Sequence, residues 1–501
     1  MRTIIPGPPG TGKTHTLIHK HLKYELLDLK TDPKKIAYIS FSNAAAKEAR
    51  KRIQDEYPQF EFEYISTMHA MGKRALGIDT NTQLLQGKNW NAFKNYSRVC
   101  DDMSFENYQS ESGYREYKNS YMKIIEYARA KQIDVMEAAY ELELDTVISD
   151  DLLLQIEQDL NDYKRDYNMF EFSDMLTKFV EKDMCPSLDA VFLDEAQDLN
   201  PLQWKMFFYI ESLCKRSYIA GDDDQAIYSF QGASPSEFIN LKGVIDAQVQ
   251  SRRVPRSVHQ LAVSVLMNID ERLQKQWNPR DAEGEVIDHL DITDIDFSKG
   301  NWMILTRTNE QMKPIVEHLH TTGYRFDCKI NDLLPSELLE AINIWDRLNK
   351  GASISGEEAA LLYEHLTKAE VKHGFKSQSF DNVDTIDMDE LRMNHGLNVS
   401  GDWTVLKMDE IQKQYIQELV ASGEDLSKKA RIKVSTIHSV KGEECDNVIL
   451  FTDLERIIYD AAQVNKDTEH RLFFVGITRA KNKLYIMNQG SEYQYYIGED
   501  I

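Results

Sequence analysis

The octapeptide GPPGTGKT, Gly7 to Thr14, narrows what this chain can fold into more than any other stretch. It fits the phosphate-loop pattern GxxxxGK[ST] and follows the short apolar run RTII. Glycines let backbone N–H groups crowd round phosphate oxygens, Lys13 reaches the β and γ oxygens, and Thr14 offers a hydroxyl to Mg²⁺. Such a loop needs a buried strand behind it and a helix ahead. The runs KIAYISFS, AVFLDE and RSYIAGD have the matching character: short, β-branched or aromatic, and closed by polar or glycine-rich turns. The helical pattern NAAAKEARKRIQDEY lies between them. A second set follows in NWMILTR, RIKVSTIHS, NVILFTD and NKLYIMN. Alternating strands and helices predict parallel sheets, and 501 residues leave room for two α/β cores.

The first core is expected at residues 1–76 and 169–252, interrupted by a helical insert at 77–168. The second is expected at 253–332 and 425–501, interrupted by a reduced insert at 333–424. No run of about 18 apolar residues occurs, so no membrane partner is expected. The five cysteines are far apart, which predicts reduced thiols and a cytoplasmic setting. The formal net charge of −23 opposes a general affinity for nucleic acid. The charge is uneven, however. Glu141 to Asp162 holds eight carboxylates and no Lys or Arg, whereas Lys34 to Arg52 and Ser251 to Arg256 are basic. Any nucleic acid should sit in a restricted groove and be released by salt.

Two further motifs carry chemistry. In AVFLDEAQD, a buried strand ends in adjacent carboxylates: Asp194 is placed to hold a Mg²⁺ shell and Glu195 to deprotonate an attacking water. In GDDDQAIYSFQGA, Gly221 to Ala233, acidic residues and Gln225 stand beside Tyr228 and Phe230. That juxtaposition suits a segment lying between a nucleotide site and a nucleic-acid groove.

Taken in order from Gly7 to Lys481, these motifs resemble those of UvrD/Rep-type superfamily 1 helicases, as do ISFSNAAAKEARKRI, STMHA, FEFSDML, VSTIHSVKGEECDNVIL and EHRLFFVGITRAK. The resemblance implies two RecA-like cores of the P-loop NTPase class, each interrupted by a mainly helical insert. It implies ATP and Mg²⁺ as cofactors, with Gly7, Pro8, Pro9, Gly10, Thr11, Gly12, Lys13 and Thr14 round the phosphates. Gln225, Arg253 and Arg479 would reach the γ-phosphate, and Glu444 the ribose. Phe41, Ser42, Asn43, Thr67, His69, Thr436 and His438 would contact nucleic acid, with Tyr228 and Phe230 stacking on bases.

The chain departs from the family in several places. No adenine-recognising segment is expected before the phosphate loop, and no nuclease domain after Lys481. Arg252 and His15 replace the usual base-stacking tyrosine and neighbouring arginine, and a purine could lie between them. Gln231 stands where arginine is common and Phe474 where tyrosine is common. The short inserts suggest a compact version of viral or plasmid type. The implied activity is an ATP-dependent helicase or translocase on single-stranded and tailed duplex DNA, moving 3′ to 5′ and serving replication, repair or recombination. Two alternatives are a translocase that displaces proteins with little unwinding, and a nucleotide-gated nucleic-acid-binding protein. A small-molecule P-loop kinase would explain only the first motifs.

Overall fold

The computed structural model describes residues 1–100, 103–104, 107–109, 115–117, 119–288, 291–330, 333–381 and 383–499. Twelve of its strands form two six-stranded sheets, parallel throughout. The first contains β1 (Arg2–Pro6), β2 (Ile36–Ser40) and β3 (Tyr64–Ser66). A separate hairpin of β4 (Asn107–Gln109) and β5 (Arg115–Tyr117) intervenes, and the sheet is completed by β6 (Ala190–Asp194), β7 (Arg216–Gly221) and β8 (Val244–Ile245). The second sheet contains β9 (Glu285–Asp288), β10 (Trp302–Thr306), β11 (Phe326–Asp327), β12 (Ile432–Thr436), β13 (Cys445–Phe451) and β14 (Ala480–Met487).

In the first sheet the order is β3-β2-β6-β7-β1-β8; in the second it is β11-β12-β10-β13-β14-β9. The central strands β2, β6 and β10 are buried along their whole length, as expected where helices cover both faces. Each of the eight apolar runs overlaps a strand, in order β1, β2, β6, β7, β10, β12, β13 and β14. The sequence reading does not identify β3, β8, β9 and β11. These are short or half-exposed edge segments: both residues of β8 face solvent, and β9 is at most half-buried. A strand with one open edge needs no continuous apolar run.

The two inserts are built differently. Between the helices Met68–Leu76 and Phe172–Glu181, the chain makes its own apolar core from Trp90, Phe93, Met122, Ile125, Leu153 and Leu160. Its two ends are drawn together at Gly72, where a Cβ would fall 2.6 Å from the Met175 carbonyl oxygen. The helices Ser336–Asn349, Gly356–Glu364 and Glu410–Ala421 make no such separate core. Their Trp345, Leu362 and Ile416 join the cluster of Ile304, Val434 and Ile449 on the second sheet.

Trp345→Ala should therefore destabilise the second core as a whole, by about 3–5 kcal/mol. Hydrogen exchange should show faster amides in β10, β12 and β13. Phe93→Ala should speed exchange in its own insert and leave β2 and β6 protected.

Candidate nucleotide site between the two cores

Open parallel sheets bind ligands beyond the carboxyl ends of their strands. β1 ends in the phosphate loop and β6 ends at Asp194. Gly10 and Gly12 have φ of 74° and 87°, which favour glycine. A Cβ on Gly10 would lie 2.5 Å from Cβ of Arg253, so the loop needs glycine both for its turn and for this approach. Lys13 Nζ donates to the Gly7 carbonyl at 2.8 Å, folding back over the loop. Thr14 donates to Oδ2 of Asp194 at 2.8 Å, and the Tyr38 hydroxyl donates to the same oxygen at 3.0 Å. Burial, then the neighbouring Glu195, pushes Asp194 up to about 6. Glu195 stands at φ 57° and accepts from Gln197 Nε2 at 2.6 Å. Burial alone would raise its pKa, but Lys13, Lys441, Gln197 and Arg479 outweigh that and hold it below the ordinary range. A glycine cradle, a lysine, and hydroxyl and carboxylate oxygens side by side fit a nucleotide phosphate with Mg²⁺.

The second sheet supplies the other wall. Arg479 is buried; its Nη2 donates to Gln225 Oε1 at 3.0 Å and its Nη1 to the Glu443 carbonyl at 3.1 Å. Burial, then the nearby Arg253, pushes it down to about 9. Gln225 Nε2 donates to Asp222 Oδ2 at 2.6 Å. The Arg252 amide donates to the Gly10 carbonyl at 2.9 Å, and the Ser251 hydroxyl to the Pro9 carbonyl at 2.9 Å. The link between cores thus lies directly on the phosphate loop. Arg253 and Glu444, expected at phosphate and ribose, here bind one another at 2.6 Å. His15 and Arg252 are both exposed, and the His15 and His19 rings lie 4.2 Å apart, tilted by 31°.

Sequence reading missed Lys441 and Asp198, although both lie inside quoted motifs. Lys441 Nζ donates to both Asp198 oxygens at 2.5 and 2.6 Å and to the Gln225 carbonyl at 2.5 Å, with the Tyr228 ring centroid 5.0 Å away. Burial pushes Asp198 up to about 7 despite that partner.

The nucleic-acid candidates divide. Phe41 stacks on Tyr228 at 5.3 Å, Tyr228 meets Phe230 at 6.2 Å, and Phe230 meets the edge of His438 at 5.7 Å. Tyr228 is only 6% exposed and belongs to the second core's apolar cluster, whereas Phe230 is 39% exposed. Phe230 is thus open to solvent, whereas one face of Tyr228 is covered by Phe41. His438 is buried, and among the described residues its Nδ1 has no hydrogen-bond partner. Ser42 and Thr67 accept from the amides of Ala45 and Ala70, capping the helices Asn43–Glu56 and Met68–Leu76. Asn43 is exposed, Thr436 shares a hydrogen bond with Ser439 at 3.1 Å, and His69 packs edge-on to Phe172. Phe474 is fully buried against Trp277, and Gln231 is half-buried.

Two parallel sheets with a phosphate loop on one and buried arginine on the other define a two-core protein of the P-loop class. Within that class the chain belongs to the UvrD/Rep-type superfamily 1 helicase family. The UvrD/REP helicase N-terminal domain matches residues 2–245, and the UvrD-like helicase C-terminal domain matches residues 387–490. The chain is 24% identical over 313 residues to the ATP-dependent DNA helicase PcrA of Leuconostoc citreum, covering 57% of this chain and 39% of the relative. It is 24% identical over 266 residues to the ATP-dependent DNA helicase Rep of Buchnera aphidicola, covering 48% and 38%. A probable DNA helicase of Mycoplasma pneumoniae is 20% identical over 517 residues, covering 98% and 81%. The matched stretch therefore spans about two fifths of the PcrA and Rep relatives. Among the described residues, no helix is long and apolar enough to cross a membrane.

Asp194 and Asp198 both have folded pKa values above their usual 3.8. Each takes up a proton on folding, so its contribution to stability is complete below pH 3.8 and is lost as pH rises through about 6 and about 7. Melting of the nucleotide-free chain should move to higher temperature between pH 8 and pH 6. Asp198→Asn should flatten the part of that rise nearest pH 7.

Proposed function

We propose that this chain is a nucleoside-triphosphate-driven motor on single-stranded DNA, an ATP-dependent helicase that separates tailed duplexes. The observation that carries this reading is the shared amide of Gln225, hydrogen-bonded to Asp222 on its own loop and to Arg479 of the second core. The triphosphate would supply the anhydride bond that is cleaved, and Mg²⁺ would balance its charge. Lys13 and the loop amides would hold the phosphates, with Thr14 and Asp194 on the metal side. Glu195, anionic at neutral pH, would take the proton of the attacking water. Arg479 and Arg253 would face the charge that develops on the terminal phosphoryl, an arrangement complete only when the cores are together.

Movement at Gln225 would reach the groove over a few residues. Lys441 ties its carbonyl to Asp198 and lies over Tyr228, and Tyr228 touches Phe230. Phe230 would then bind and release a base in step with the nucleotide. Movement 3′ to 5′ follows from the family resemblance, and replication, repair or recombination proteins are the expected partners. The exposed His15 and Arg252 would stack on a base with little hydrogen-bond reading, so several nucleoside triphosphates should serve.

Phosphate release with and without single-stranded DNA, followed by unwinding of 3′- and 5′-tailed duplexes, tests the proposal. Lys13→Ala should lower DNA-stimulated release by at least about 100-fold. Glu195→Gln should retain nucleotide binding and lose roughly 100- to 10,000-fold in turnover. Turnover near the wild-type rate in both variants would reject the assignment. Phe230→Ala should weaken binding of single-stranded DNA by about 5- to 100-fold, as loss of one base stack implies, read by fluorescence anisotropy.

A further inference from the structure

Asp222, Asp223 and Asp224 bring ligand oxygens within 4.8 Å of one another in a buried place, an arrangement that resembles a cation site. The cation is already supplied by the chain. Lys275 Nζ lies 2.6 Å from Asp222 Oδ1 and 2.9 Å from Asp224 Oδ2, and also pairs with Asp223. An ammonium has three donors and meets three carboxylates here. Arg272 grips both oxygens of Asp224 at 2.8 Å, and the Leu273 amide donates to Asp223 at 2.6 Å.

The segment that carries these cations is fastened to the second core. The amides of Asp270 and Glu271 donate to Asp467 at 2.9 and 3.0 Å, and Arg471 reaches both the Glu271 and Asp223 carbonyls. Asp467 and Arg471 lie on the helix Lys466–Ile477 of the second core. Ile227 and Tyr228 pack in the apolar cluster of Val254, Leu305 and Ile437. The loop after β7 thus continues a strand of the first sheet, yet its cations come from the segment fastened to the second core and, Phe41 apart, its Tyr228 ring packs in the second core's apolar cluster.

Asp222 has two different duties. Its Oδ1 faces Lys275 while its Oδ2 accepts from Gln225. We infer that Lys275 is a positioning residue through which the second core fixes Asp222 and hence the Gln225 amide at the nucleotide site. This rests on the reading of the chain as a nucleotide-hydrolysing motor. Lys275 touches no substrate; it sets the rotation of the carboxylate that sets the glutamine.

Removing one charge from a buried cluster can unfold the region, so the test pairs two substitutions. Lys275→Gln with Asp223→Asn returns the cluster to its wild-type formal charge, and Asp223→Asn alone is the reference. Phosphate release by the full chain with single-stranded DNA, and thermal melts, are measured for all three proteins. The double variant should melt within a few degrees of the reference. Its kcat should fall about 10- to 100-fold, the range for loss of a supporting contact, while KM for ATP changes less than about threefold. A double variant with kcat within threefold of the reference overturns the inference, as does a fall in kcat that only tracks lost stability. A wild-type chain that releases no phosphate overturns the motor reading itself, and the inference with it.

Discussion

Everything at the junction depends on a buried guanidinium. Arg479 is 1% exposed, and its hydrogen bonds go to the carbonyls of Val475 and Glu443, the Thr478 hydroxyl and Gln225 Oε1. Among the described residues no carboxylate forms an ion pair with it. A charge so placed is costly, and the fall of its pKa to about 9 expresses that cost. Arg253 adds a second positive charge nearby, itself held by Glu444. Arg479 is thus held by neutral acceptors, with the charges of Glu195, Glu444 and Asp222 acting on it only at a distance. A polyphosphate would relieve both arginines together, and the two cores must approach for that to happen.

The same electrostatics explains why a chain of net charge −23 can contain such a site. Many carboxylates near the junction are committed: Asp198 to Lys441, Asp222 to Asp224 with Lys275 and Arg272, and Glu469 with Arg307. Their charge is balanced inside the fold and adds little to the field in the cleft. The carboxylates of Glu141–Asp162 lie in the first insert, away from the phosphate loop in sequence and packed round a separate core. Global charge and local function are therefore decoupled.

Legibility in the sequence followed the range of the interaction. GPPGTGKT and AVFLDE could be read because strand, turn and helix are determined within about ten residues. β8 and β9 could not, because an edge strand is defined by its neighbour. Thr67 and Ser42 looked like nucleic-acid contacts, but a hydroxyl before a helix also serves as a cap, and short-range sequence cannot separate the two uses. Lys441 with Asp198, and Lys275 with Asp222, are partners 243 and 53 residues apart. No local pattern marks which lysine will be buried against which aspartate, so these links emerge only from the fold.

The alternation of rings in Tyr228-Ser-Phe230 shows what the fold adds to a motif. Residues two apart can face the same side of an extended segment, which suggests two equivalent stacking surfaces. The chain instead turns through Ser229–Gln231 as a short 3₁₀ segment. That turn gives the two rings different surroundings. Tyr228 closes against Phe41 and Lys441, while Phe230 remains open beside His438. Under the proposed function, the packed ring would follow the state of the cleft and the open ring would meet a base. A pair of equally exposed rings would lack the packed link through Lys441 to Gln225. The proposed coupling would require that asymmetry.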